Sequence, residues 1–353
     1  MIKPLPPLQL KPLTSVSPSQ FSRLESCALQ VAIQKSLTDD LLPPGPMTFF
    51  GNATHKLIEL ATKGKLTDEP ALKQHFDQLI ADAEAGLLAK GWAHLLPLPA
   101  QITDFALRRR QVVRRALSLV PAHALSTGVA GGTYQVEERF ESADKQVVGY
   151  IDAIRQTTDG PEIVDYKSGQ VLDETGRAVK AAYRQQLLLY AYLYWERHGI
   201  WPVRLSLIGL TGPPHNIPYT PDDARNTYQQ AVHQLIHTNV HLEAGDWEAL
   251  SATTAPAECP ACPVRAVCPK HVIAPATQGF TDIAGVLSSV RETPRGLRVE
   301  VAQDDQLFLI TNVPAPHLLT LTGLIERPVR LLHVRAVGTL RYEWLGQTVL
   351  FWL

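Results

Sequence analysis

Cysteine is nearly absent from this chain. Four occur in 353 residues, too few for a disulfide scaffold in a chain of this length. Net charge is missing too. The 33 Lys plus Arg stand against 34 Asp plus Glu, so there is no global basic field, and any contact with nucleic acid must come from local patches. No apolar run reaches the length of a bilayer span. The N-terminal stretch MIKPLPPLQLKPLTS carries prolines where a signal peptide needs an unbroken apolar core. No membrane contact and a cytoplasmic location are therefore expected. A G-x-x-x-x-G-K-[ST] loop is lacking, which excludes a nucleotide-driven motor within the chain. Internal repeats and low-complexity tracts are lacking as well. What is present is 45% hydrophobic and 19% charged residues, the balance of a globular protein with a full core and length enough for two domains.

The few cysteines are not scattered. CPACPVRAVC holds Cys259, Cys262 and Cys268 in a C-x₂-C-x₅-C spacing, and Cys27 stands 232 residues upstream. In a reducing compartment such a cluster points to metal.

Along the chain, Ser17-Pro18 suits a helix start, with Cys27 expected inside the short helix that follows. PPGP at 43–46 breaks the chain. MTFFGNATHKLIELATKG reads as a helix entered from Gly51 and stopped at Gly64. Helices are expected at about 68–90 and 101–120, the second carrying Arg108, Arg109, Arg110, Arg114 and Arg115. PAHALSTGVAGG reads as a loop. The pattern then becomes alternating. TYQVEERFES, QVVGYIDAIRQ and PEIVDYKS read as three successive strands. AAYRQQLLLYAYLYWERHG is a helix ended by Gly199, VRLSLIGL a fourth strand, and a helix beginning at Pro221 follows. This order implies an α/β sandwich around a small mixed sheet. From about residue 276 short alternating strands predict a separate small β-barrel domain, OB-like in character. That segment holds seven Arg, no Lys and seven Asp plus Glu, a balance that does not favour phosphate.

Strand residues two apart face one side, so Asp165 and Lys167 project together, and Asp152 joins them if the preceding strands pair as a hairpin. Two carboxylates with a lysine suit a hard divalent cation and a charged helper at a phosphate. In isolation a D-x-K triplet is as readily a salt bridge at a strand end.

GYID-x₁₂-DYK followed by a helix bearing QLLLY resembles the PD-(D/E)XK nuclease superfamily, in its RecB-like branch. Gln186 and Tyr190 match the Q-x-x-x-Y helix of that branch and lie on one helical face. GNATH supplies Gly51 and His55, matching an upstream G-x-x-x-H. The resemblance implies a restriction-endonuclease-like core with an inserted helical region over about 51–125. It implies metal ligation by His55, Asp152, Asp165 and the Tyr166 carbonyl, with catalysis shared among Asp152, Asp165, Lys167, Gln186 and Tyr190. Cys27, Cys259, Cys262 and Cys268 match, one by one, the iron–sulfur pattern of a subset of the branch. A [4Fe–4S] cluster held by four thiolates would tie together the ends of a nuclease domain spanning residues 1–275. Closing so long a loop is worth on the order of 5 kcal/mol if disulfide loop entropy carries over. Four thiolates also make a closed zinc site, and zinc is the alternative.

The implied activity is a magnesium- or manganese-dependent deoxyribonuclease acting on single strands or DNA ends. A helicase or other protein subunit could meet the 276–353 domain. The arginine-rich helix, through Arg108, Arg110, Arg114 and Arg115, is a candidate DNA-backbone contact; the competing reading pairs it with acids near Asp77, Asp82 and Glu84. Two rival functions remain: a non-catalytic DNA-binding or partner-docking module on the same scaffold, and a zinc-stapled RNA-processing nuclease. DNA repair, CRISPR adaptation and phage defence are all compatible settings.

Overall fold

The computed structural model describes residues 1–121, 134–253, 259–271, 273 and 275–353. All but the first residue of the loop expected at 121–132 lies outside the described residues.

Helices α1 (Pro18–Ser26) and α2 (Ala28–Ser36) open the helical part of the fold. Cys27 does not lie inside either one. Its backbone (φ −154°, ψ 76°) interrupts the helix, serving as C-cap of α1 and N-cap of α2. α3 (Pro46–Thr62) begins five residues before the expected start. Pro46 fits the first turn, where its missing N–H costs nothing, and Gly51 lies within the helix. A Cβ on Gly51 would lie 3.2 Å from Ser168 Oγ, so this glycine permits a close approach. α4 (Glu69–Ala89) is capped by Asp68, whose Oδ1 accepts from Ala71 N at 2.8 Å. α5 (Leu98–Gln101) and α6 (Phe105–Ser118) follow. Phe50, Phe76 and Phe105 interlock where α3, α4 and α6 meet, their ring centres 5.5–6.3 Å apart.

β2 (Tyr134–Glu141), β3 (Val148–Thr157), β4 (Gly160–Lys167), β5 (Arg204–Gly209) and β6 (His215–Asn216) form a mixed sheet in that order. β2, β3 and β4 run antiparallel, whereas β4 and β5 run parallel across α7 (Ala181–His198). A parallel pair needs such a crossover. β4 is buried along nearly its whole length, as a strand covered on both faces must be. α8 (Pro221–Glu243) starts with a capping box between Thr220 and Asp223 and packs on α7.

β7 (Gly279–Thr293), β8 (Gly296–Gln303), β9 (Gln306–Val313), β10 (Pro328–Gly338), β11 (Arg341–Glu343) and β12 (Val349–Trp352) make a second sheet, with α9 (Leu318–Thr322) between β9 and β10. Because β7 pairs with both β8 and β10, strands β7-β8-β9-β11-β10 close into a five-strand barrel. The sequence reading placed no element at the extreme N-terminus, yet β1 (Ile2–Pro4) joins this second sheet, parallel to β12. Leu332 of β10 and Val349 and Phe351 of β12 extend from this second sheet into the larger hydrophobic core, around the first sheet and its helices. Lys3 fastens the same seam, with Nζ 2.7 Å from Leu41 O and over the rings of Trp92 and Phe351.

Candidate active site

The ladder between β3 and β4 is registered only from Ala153–Val164 onward. One residue before it, the carboxylate of Asp152 takes the place of a strand carbonyl. Its Oδ2 accepts from Tyr166 N at 2.8 Å. The strands part there, and Asp165, next on β4, faces the gap. His55 of α3 meets Asp152 from above, Nδ1 to Oδ2 3.3 Å.

Asp165 is 1% exposed. Lys167 Nζ lies 2.7 Å from its Oδ2, yet that buried oxygen accepts no directed hydrogen bond among the described residues. Oδ1 accepts from Gln186 Nε2 at 3.0 Å. Gln186 is the hub of the site: its Oε1 accepts from Lys167 Nζ at 2.9 Å, and its Nε2 also reaches Tyr190 Oη at 3.2 Å. Gln186 and Tyr190, four apart on α7, therefore face the carboxylates together. Tyr183 completes the stripe, its ring 4.8 Å from Lys167 Nζ. Sequence reasoning missed Tyr183, although its place three residues before Gln186 was a usable signal.

Burial, then the neighbouring charge of Asp152, push the Asp165 carboxyl up to about 6 despite Lys167. Burial drives the His55 imidazole down, but its hydrogen bond to Asp152 and the negative charge of both aspartates overcome this and leave it above its ordinary value. Burial raises the Tyr190 phenol, and the two aspartates raise it further. Asp165, whose ionisation is opposed by burial and by the charge of Asp152, stands with Asp152 and His55 at the gap between the strands, and these are donor types suited to a divalent cation.

Over residues 15–269 the chain matches the family model of the PD-(D/E)XK nuclease superfamily, and it belongs to that superfamily. Its members are generally nucleases, typically dependent on magnesium or manganese. The mixed sheet with flanking helices is the PD-(D/E)XK fold, to which the C-terminal barrel is joined. A search of the curated proteins finds no match.

The four cysteines, so far apart in sequence, line one cavity together with Gln30, Thr253, Arg265, Lys270 and His271. None is in a disulfide. Burial raises the Cys262 and Cys268 thiols, and the other thiols add to the rise. Among the described residues no group of three His, Cys, Asp or Glu closes round a single ion position. No helix among them is long and apolar enough to cross a membrane.

The arginine helix is α6, and its five charges have separate fates. Arg109 forms an ion pair with Asp77, one of the acids named for that role. Asp82 instead accepts from Gln78 and Glu84 from Leu98 N. Arg115 Nη2 donates to Gly212 O at 2.7 Å. Arg108 Nε donates to Thr103 O at 3.0 Å, while Arg110 and Arg114 are exposed.

Proposed function

We propose that this chain is a metal-dependent DNA nuclease of the RecB-like branch, acting on single strands or DNA ends. The carrying observation is the connected set Asp152–His55 and Asp165–Lys167–Gln186–Tyr190 at the point where β3 and β4 part. His55, Asp152, Asp165 and the Tyr166 carbonyl would hold magnesium or manganese. That ion would polarise a phosphate oxygen and make water a better nucleophile. Lys167 would orient the attacking water and offset negative charge developing on the phosphate. Gln186 fixes Lys167 and Asp165 relative to each other, and Tyr190 fixes Gln186. Arg108, Arg110 and Arg114 supply positive charge for the backbone, while Arg115 holds α6 to the loop after β5. The test is cleavage of linear single-stranded, linear duplex and circular DNA. Wild type should cut linear substrates with magnesium or manganese, and Asp165→Ala should cut none while remaining folded. Equal cleavage by Asp165→Ala would sink the assignment.

We infer further that Cys27, Cys259, Cys262 and Cys268 hold a [4Fe–4S] cluster. What supports this reading is that all four thiols, with Cys27 standing 232 residues before Cys259, border one cavity, and four thiolates are the ligand set of such a cluster; zinc on the same four thiolates is the alternative. Anaerobically purified protein should be brown, with broad visible absorption. Cys27→Ser and Cys262→Ser should lose colour and stability alike, since each removes one of four ligands. Stoichiometric zinc without iron in that preparation would replace the cluster with a zinc staple. The barrel, with Phe280 and Leu307 exposed, offers a surface for a helicase or other protein subunit.

A further inference from the structure

A groove of about 380 Å³ opens just past the catalytic lysine, within the roughly 300–1,000 Å³ range of ligand sites. Its walls are Ser168–Leu172, the end of β5 at 209–211, His215 of β6, and Arg108 and Gln111 of α6. Register pairs Lys167 with Gly209, so the groove begins where the parallel strands β4 and β5 end. Open α/β sheets take ligands outside the carboxyl ends of such strands.

The lining has a consistent chemistry. Arg108 is its only permanently charged side chain. Gln111, Ser168, Gln170, Thr211 and His215 add neutral hydrogen-bonding groups, and no lining residue is a carboxylate. Arg108 engages Thr103 O through Nε, and among the described residues its two terminal amino groups have no partner. The helix that presents it is pinned on two sides, by Arg115 to Gly212 O and by Arg109 to Asp77. Arg108 is thus held at the groove while its fork remains available for an oxyanion.

We propose that this groove is a phosphate subsite, taking a backbone phosphodiester of the nucleic-acid strand away from the scissile bond, with Arg108 as its anchor. This rests on the nuclease reading above, because continuity with Lys167 is what selects a strand over a free anion. A strand with one phosphate in the groove runs along the carboxyl ends of β4 and β5, between α6 and the loop after β5.

The test is equilibrium binding of a fluorescein-labelled oligothymidylate to the full chain in EDTA, across a salt series. Arg108→Ala should weaken binding about tenfold and flatten the slope of log affinity against log salt by about 0.7 for the lost contact. Arg108→Gln, which keeps a long polar side chain and guards against a folding artefact, should behave like Arg108→Ala. Arg109→Gln removes the same charge from the same helix outside the groove and should cost less than twofold. If Arg108→Gln matches Arg109→Gln while wild type binds and cleaves, the subsite is wrong and the nuclease reading stands. If wild type neither binds nor cleaves any nucleic acid, both fall.

Discussion

Gln186 joins the parts of the site that do chemistry, touching Asp165, Lys167 and Tyr190 at once. Its amide is buried, so each end needs its partner. Removing it leaves two charged groups without their shared spacer. Gln186→Ala should lower kcat by about a hundredfold, the scale of a displacement of around 1 Å in a reacting group, while KM changes little. Gln186→Glu can accept from Lys167 but cannot donate to Asp165, so it should not rescue. A fall in KM-limited rate alone, with kcat preserved, would mean that Gln186 serves packing and not positioning. At this scale much was legible. Alternation on β4 puts Asp165 and Lys167 on one side, and four-residue spacing on α7 puts Gln186 beside Tyr190. The partner of Asp152 was not legible. That its carboxylate accepts from Tyr166 N depends on where the ladder stops, which is a matter of register between strands and not of local pattern.

Among the elements, α1 and β3 show how the site is held. Gly149 lies on β3, three residues before Asp152, and a Cβ there would stand 2.6 Å from Pro18 Cδ and 3.2 Å from Tyr190 Cε1. Helix α1 can lie on the catalytic strand only because that side chain is absent. Gly149→Ala should destabilise the fold by roughly 1–3 kcal/mol, as overpacking does, read as a lowered midpoint in urea; an unchanged midpoint would show that Pro18 moves aside freely. Helix ends were readable where chemistry marks them. Gly199 caps α7 in a left-handed conformation, φ 73°, and Pro221 opens α8. The start of α3 was misread because a glycine looked like a boundary, whereas Gly51 serves a contact with Ser168 across the fold. Cys27 was placed inside a helix for a similar reason. Helix-forming neighbours hide a break that a distant residue pairs with: Ser251 Oγ accepts from Ala28 N at 3.1 Å and Ser251 O from Leu29 N at 3.2 Å.

For the whole molecule, side-chain bonds join the cysteine loop to the barrel. Arg265, between Cys262 and Cys268, donates through Nε to Asp282 Oδ2 at 2.8 Å and through Nη1 to Cys262 O at 3.1 Å. His271 approaches the same Asp282 oxygen at 3.1 Å, and His333 N donates to the other at 3.0 Å. Arg265 Nη2 is 2.9 Å from His333 Nε2. A guanidinium only donates, so that ring nitrogen accepts and His333 is neutral. Arg330 Nη1 adds a bond to Ala266 O at 2.6 Å. Nothing local in the sequence announces this network, nor the pairing of β1 with β12. Both join segments far apart in the chain.

Burial raises the Asp282 carboxyl, but His271 and Arg265 outweigh it and hold it down at about 2. Burial and the charge of Arg265 bring His333 down to about 4, against the pull of Asp282. Both shifts act in one direction. Below the ordinary histidine range the unfolded chain takes a proton at His333 that the folded chain refuses, so stability falls between about pH 6.5 and 4. The contribution of Asp282 is present above the ordinary carboxylate pKa and is lost as pH falls towards 2. Asp165 and His55, both held above their ordinary values, act in the opposite sense over the same range, so the junction is read by difference: His333→Gln should lose less melting temperature than wild type between pH 7 and 4.5. Asp282→Asn leaves Arg265, 2% exposed, without its charge partner and should cost about 3–5 kcal/mol. An equal loss in wild type and His333→Gln would remove the His333 part of this reasoning.

The measurement closest to the central claim compares wild type with Lys167→Ala in two assays on the same preparation: manganese binding by calorimetry without DNA, and manganese-dependent cleavage of linear single-stranded DNA. Lys167 is assigned to the water and the phosphate, not to the metal. The expected result is that Lys167→Ala still binds manganese, loses at least a hundredfold in cleavage on the scale of lost general catalysis, and keeps the wild-type melting profile. Wild-type cleavage that persists in EDTA, or equal cleavage by Lys167→Ala, would contradict a metal-dependent nuclease centred on Asp152, Asp165 and Lys167.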